Sequence, residues 1–341
     1  MHRINVSAIP EVEQRSPTGK FQSFSRNISL ALGGIANTGT QAGGHPFDVQ
    51  LRRLPPRAAV CPYHLHLAQW EFFIVRRGEG SVRTPDGIFP LKTGDAFIHP
   101  PGAPHQLTNT GSADLEVLIV TDQPPLDSCF YPDSNKRSLR PPGKVFRITE
   151  AHYFDGEDEL PPDAPSYQTS PSPPALIFAP FPQRRLNIAD VPWDVWQSPK
   201  KKYGGSSKEL SIALGGKRDT PTGLGGHPFE IELGKVPPGG SPCPFHSHAG
   251  EWEMYYVLEG TATLRAGTAT DTLGPNDVVI HPPGEPHQIR NASDTDDLLF
   301  YIIADNTPVE VCYYPDSNKW AVRPPKKFFR AQDVDHWDGE E

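Results

Sequence analysis

The chain has 341 residues, long enough for two domains that each bury a core. Its 36% hydrophobic and 21% charged residues argue for a globular protein rather than a disordered one. A formal charge of −9 without any basic run argues against nucleic acid and anionic membrane surfaces as partners.

Forty prolines and thirty glycines favour strands and turns over long helices, because proline fixes φ and removes a ladder donor. The expected class is therefore all-β. Met1 to Gln14 has no apolar core of the signal-peptide kind, and no stretch is long enough to span a bilayer. A cytoplasmic location is the expectation. The four cysteines, Cys61, Cys129, Cys243 and Cys312, read as free and mostly buried thiols.

Along the chain, Phe47 to Leu51 alternates with Phe47, Val49 and Leu51 on one face, which predicts a strand. His64 and His66 are two residues apart, so on a strand both rings project from one side. Glu71 follows at odd spacing, so a turn or bulge between Leu67 and Trp70 is needed to bring it to the same side. Glu71 to Val75, Ala96 to Ile98 and Leu115 to Val120 are further strands bounded by turn residues. Between the last two, His99-Pro100-Pro101-Gly102 makes a tight turn ahead of His105. Tyr131 to Asn135 reads as a closing loop. The stretch from Glu159 to Arg185 holds eight prolines and reads as an extended linker, or as a strap along one barrel through apolar Ala175 to Phe178.

Beyond the linker the chain repeats itself. Gly44-His45-Pro46-Phe47 recurs as Gly226-His227-Pro228-Phe229, and Cys61-Pro62-Tyr63-His64 as Cys243-Pro244-Phe245-His246, both offset by 182 positions. After one insertion, Tyr131-Pro132-Asp133 recurs as Tyr314-Pro315-Asp316. This is an internal duplication. The expected organisation is 1–158 as one barrel, 159–185 as linker and 186–341 as a second barrel.

Each copy thus carries three histidines and one glutamate: His64, His66, Glu71 and His105, then His246, His248, Glu253 and His287. Imidazole and carboxylate are borderline donors suited to Mn, Fe, Ni, Cu, Co or Zn, so two divalent transition-metal ions are the expected cofactors. Four protein ligands leave open positions for water or substrate.

These spacings resemble the two motifs of the cupin superfamily. The first fits Gly240, His246, His248, Glu253 and Gly260; in the first copy Ala58 stands where the leading glycine would be. The second fits Gly94, Pro100, Gly102, His105 and Asn109; in the second copy Asn276 replaces the leading glycine, and asparagine best tolerates the left-handed backbone there. The resemblance implies two tandem double-stranded β-helix (jelly-roll) barrels, packed as an internal pseudo-dimer, with a homo-oligomer left open. It also implies a metal-dependent enzyme on a small organic acid, phenolic or sugar-derived substrate, of dioxygenase or decarboxylase type. A sugar-phosphate isomerase or epimerase and a non-catalytic small-molecule-binding protein are the alternatives.

Differences between the copies point to the second. Tyr255 and Glu251 stand where the first copy has Phe73 and Gln69, and are candidates for supplying a proton or a substrate hydrogen bond. His45, His227, His99 and His281 read as turn or barrel-edge histidines, with orienting the metal ligands as the alternative, and Arg83 and Arg265 as solvated surface charges, with holding a substrate carboxylate or phosphate as theirs.

Overall fold

The computed structural model describes residues 2–149, 151–154, 156–157 and 178–340. The expected strands are present and longer than the alternation alone implies. Phe47–Leu54, Glu71–Arg77, Asp95–His99 and Leu115–Asp122 pair antiparallel in one seven-stranded sheet. Their counterparts in the second copy, Phe229–Val236, Glu253–Glu259, Asp277–His281 and Leu298–Asp305, form another with the same order. Each copy adds a three-stranded and a four-stranded sheet that face the large one and close the barrel. The chain is nearly all-β, as its composition implies; its only α-helices among the described residues are the single turns Ile28–Ala31 and Leu210–Ala213. Among the described residues, no helix is long and apolar enough to cross a membrane.

Strand parity divides the side chains of the large sheets. Phe73, Val75, Phe97, Val117 and Ile119 point into the first barrel and pack together there. Their neighbours Phe72, Ile74, Ala96, Leu118 and Val120 face outwards, and meet Phe229, Ile231, Met254, Tyr256 and Ile280 of the second copy in one continuous core. The two barrels therefore bury the backs of their large sheets against each other, which is the expected pseudo-dimer. At this junction His45 lies against Trp252 with ring centroids 5.1 Å apart, and Trp70 against His227 at 5.2 Å. These two histidines are inter-barrel residues rather than turn residues.

Sheet membership also runs across the expected segment boundaries. His2–Asn5 pairs with Asp277–His281 of the second barrel, while Arg185–Asn187 pairs with Asp95–His99 of the first. The two strands are themselves copies, Arg3-Ile4-Asn5 matching Arg185-Leu186-Asn187. Each ends identically: Asn5 Oδ1 accepts from the Ser7 amide and Asn187 Oδ1 from the Ala189 amide, both at 3.0 Å, capping a short turn. Each barrel is thus completed by the other copy's leading strand.

Of the proline-rich stretch, 159–177 lies outside the described residues, including most of the apolar strap segment. Its described end lies on the first barrel, where Phe181 is fully buried and stacks on His99.

Candidate metal centres

His64 and His105 sit on adjacent backbone segments, joined by two hydrogen bonds of 3.1 and 2.7 Å between their own amides and carbonyls. His246 and His287 are joined in the same way, at 3.1 and 2.7 Å. His66 ends the short strand Leu65–His66, the chain bends at Leu67 and Ala68, and Glu71 opens the strand Glu71–Arg77 of the large sheet. The odd spacing is resolved because His66 and Glu71 come from opposite walls. The bend is fixed by carboxylates: Trp70 N donates to Asp122 Oδ1 at 2.7 Å, and Trp252 N to Asp305 Oδ1 at 2.6 Å. At the turn before the strand Asp95–His99, Gly94 adopts φ +88°, and Asn276, before Asp277–His281, takes the same left-handed conformation at φ +67° in the second copy.

The structure brings all eight residues named from the sequence into two groups. In the second barrel the donor atoms of His246, His248, Glu253 and His287 all lie within 4.8 Å of one another. In the first, those of His64, Glu71 and His105 do so, with His66 Nε2 3.6 Å from Glu71 Oε2.

Whether a cation fits follows from the tautomers. His64, His105, His246 and His287 each place Nδ1 on a backbone carbonyl, those of Pro62, Ala103, Pro244 and Glu285, at 2.9 to 3.1 Å. A carbonyl only accepts, so each Nδ1 carries the proton and each neutral ring turns a bare Nε2 inwards. Burial pushes the His64 and His246 imidazoles down to about 3, which keeps them neutral. Inside, His246 Nε2 and His248 Nε2 are 3.1 Å apart. In the first barrel the buried Glu71 Oε2 finds no hydrogen bond, although His105 Nε2 is 2.7 Å away. Burial opposes ionisation of Glu71, yet the charge of nearby His66 holds it well below the usual carboxylate range. Lone pairs and a carboxylate converging in this way repel one another unless a cation lies between them. A divalent metal ion fits both groups.

Behind the donors stand residues that the sequence reading did not single out. Asp127 Oδ2 binds His66 Nδ1 at 2.6 Å and is held by Arg140; Glu310 Oε1 lies 3.5 Å from His248 Nδ1 and accepts from the Ala249 amide at 2.9 Å. Both acids orient a histidine and raise its basicity. Their shared repeat position, 183 apart, is the signal that could have revealed them. Asp127→Asn is expected to weaken metal binding in the first barrel by about 10–100-fold. Chelator competition measures this, and an unchanged affinity would deny Asp127 the role.

His99 and His281, expected at barrel edges, lie inside and stack on His105 and His287, with centroids 3.9 and 4.0 Å apart. Arg83 and Arg265 are surface groups, as expected, each paired with both oxygens of an exposed aspartate, Asp133 or Asp316. The four cysteines are free; Cys61 and Cys243 each place Sγ near a histidine Nδ1, 3.5 Å from His64 and 3.8 Å from His246.

A sequence family described as the cupin domain matches residues 50–121 and, separately, 232–304. The chain carries two cupin domains. Among curated relatives, dimethylsulfoniopropionate lyase DddQ of Ruegeria pomeroyi is 38% identical over 80 residues, 23% of this chain and 39% of that protein. The oxalate-binding protein of Thermotoga maritima is 37% identical over 68 residues, 20% of this chain and 55% of that protein. The bicupin thus spans well under two thirds of these relatives. Among solved structures, the Lactobacillus farciminis oxalate decarboxylase formate complex superposes with a TM-score of 0.53 and 16% identity, covering 90% of this chain and 86% of that one. The putative glyoxylate-induced protein from Pseudomonas aeruginosa gives 0.55 and 15%, covering 89% and 87%. At these identities the likeness establishes the shared bicupin fold.

The two barrels of the bicupin differ around their donors. Tyr255 is buried and its hydroxyl donates to Glu253 Oε2 at 2.9 Å. Phe73, its counterpart, stacks on Phe97 and leaves Glu71 without that bond. Glu251 is buried and ion-paired with Arg323, which also pairs with Asp219. In the first barrel, Gln69 and Asn37 replace these acids as the partners of Arg140. Above the second group opens a cavity of about 210 Å³, walled by Arg218, Arg323 and Lys326 together with Asp219, Glu230 and Glu251.

Proposed function

We propose that this bicupin is a metal-dependent enzyme acting on a small organic acid, with chemistry of decarboxylase or dioxygenase type centred on the second barrel. His64, His66, Glu71 and His105 are assigned as ligands of one divalent ion, and His246, His248, Glu253 and His287 as ligands of the other. The observation that carries this reading is the second barrel's cavity, which has three of these donors in its wall and three cationic side chains beside them.

When bound, the ion supplies a Lewis acid with open positions that stabilises negative charge developing on a substrate. The chain's own contribution is orientation and charge balance. Arg323 and Lys326 offer donors to a carboxylate entering the cavity. Arg323 is shared with Glu251 and Asp219, so an incoming anion competes for a guanidinium already held in place. Tyr255 holds its proton well above the usual phenol range because it is buried beside the Glu253 carboxylate. It therefore serves as a hydrogen-bond donor at Glu253 Oε2 and fixes which oxygen faces the imidazoles.

The test is to load the protein with manganese(II) or iron(II) and follow carbon dioxide release and oxygen uptake with a panel of small carboxylates. Tyr255→Phe is expected to lower kcat about 100-fold at unchanged metal content. If Tyr255→Phe and Glu251→Gln both leave turnover intact, neither residue takes part. If the panel binds but yields no turnover, a non-catalytic binding protein becomes the better reading, a possibility for which the similarity to the oxalate-binding protein gives a motive.

A further inference from the structure

A second cavity, of about 220 Å³, lies on the inner side of the second barrel's metal-binding group. It shares His246, His248, Glu253, Glu232 and Ile302 with the outer cavity, so the two compartments meet at the donors. Their chemistry differs. The outer one is charged, whereas the inner one is walled mainly by Trp196, Val236, Tyr255, Ile289 and Phe300.

One residue of the inner wall differs sharply between the copies. Strand Phe229–Val236 runs in register with Leu298–Asp305, which sets Gly234 opposite Phe300. A Cβ at Gly234 would stand 3.2 Å from the Phe300 ring, so a side chain there would project into the barrel. The first barrel has Arg52 at this position. Its guanidinium donates to Gln50 Oε1 at 2.8 Å, and its buried Nε has no partner. The copies thus differ at the same wall position by a whole arginine side chain.

We propose that the second barrel takes an amphiphilic acid: a carboxylate on the outer, charged side of the metal-binding group, where Arg323 and Lys326 stand, carrying an aromatic or branched apolar body that fills the inner compartment. The inference rests on the small-acid reading above and specifies its substrate class. An apolar cavity of about 150 Å³ is sufficient to take up benzene, so the inner compartment has room for a six-membered ring. A two-carbon acid would leave these apolar walls without a contact, forfeiting the burial that the compartment offers.

The experiment compares acetate with phenylacetate by isothermal titration of the manganese(II)-loaded protein. Phenylacetate is expected to bind at least about tenfold more tightly. Gly234→Leu, which fills the inner compartment, is expected to bring the two affinities within about threefold of each other. Ser207→Leu fills the same compartment from the neighbouring strand and serves if the first variant does not fold. Equal affinities in the unmodified protein, or a preference that survives in the filled variants, would overturn the proposal. Binding of neither acid would remove the small-acid reading itself, on which the inference stands.

Discussion

Replacing His287 by alanine is expected to lower the metal content from about two ions per chain to about one, with the loss confined to the second barrel. His287 is almost fully buried, its Nδ1 is committed to the Glu285 carbonyl, and its Nε2 lies 2.6 Å from Glu253 Oε2. Its stacked neighbour His281 spends Nδ1 on Glu285 Oε2 at 2.9 Å. Partners that only orient a ligand command about 10–100-fold in affinity, so removing a ligand costs more than that. His105→Ala makes the parallel prediction for the first barrel, and elemental analysis of both variants assigns each ion to its barrel. If either variant keeps its full metal content, that histidine is not a ligand. If turnover falls with His287→Ala and survives His105→Ala, catalysis belongs to the second barrel.

The second large effect concerns the joint core. Phe72 is fully buried with its ring edge-on to Phe229 of the other copy, centroids 6.4 Å apart. Phe72→Ala is expected to cost about 3–5 kcal/mol, the transfer of a large side chain plus the void it leaves. Since Phe72 and Phe229 belong to one core built from both copies, the loss should move a single unfolding transition rather than split off one barrel. Urea titration followed by tryptophan fluorescence and by circular dichroism gives the test. Two separated transitions, or a loss below about 1 kcal/mol, would mean that the barrels are stabilised independently.

What the sequence made legible is what repeats locally. The spacing of His64, His66 and Glu71, and its recurrence at His246, His248 and Glu253, could be read because those residues lie within one hairpin-sized segment. The alternation in Phe47 to Leu51 gave the strand and its two faces, though not that the outward face would be covered by the other copy. Asp127 and Glu310 escaped notice because they reach their histidines across 61 and 62 residues, on a strand whose register follows from tertiary pairing. His99 was misread for a different reason: it precedes a Pro-Pro-Gly turn, and only the packing of Phe97 and Phe181 shows that it faces inwards. The Arg52 to Gly234 exchange stands in plain view in the aligned copies. Its meaning needed the sheet register, which decides whether that position points into the barrel or away from it.

The exchanged leading strands also bear on how the protein is made. His2–Asn5 is synthesised long before the partner of that strand, Asp277–His281. The first barrel in turn must wait for Arg185–Asn187, the leading strand of the second copy, before the open edge at Asp95–His99 is covered. For much of its birth on the ribosome the nascent chain therefore carries an unpaired strand and an uncovered sheet edge that fit each other's counterparts, a geometry in which two neighbouring nascent chains can clasp one another by mistake.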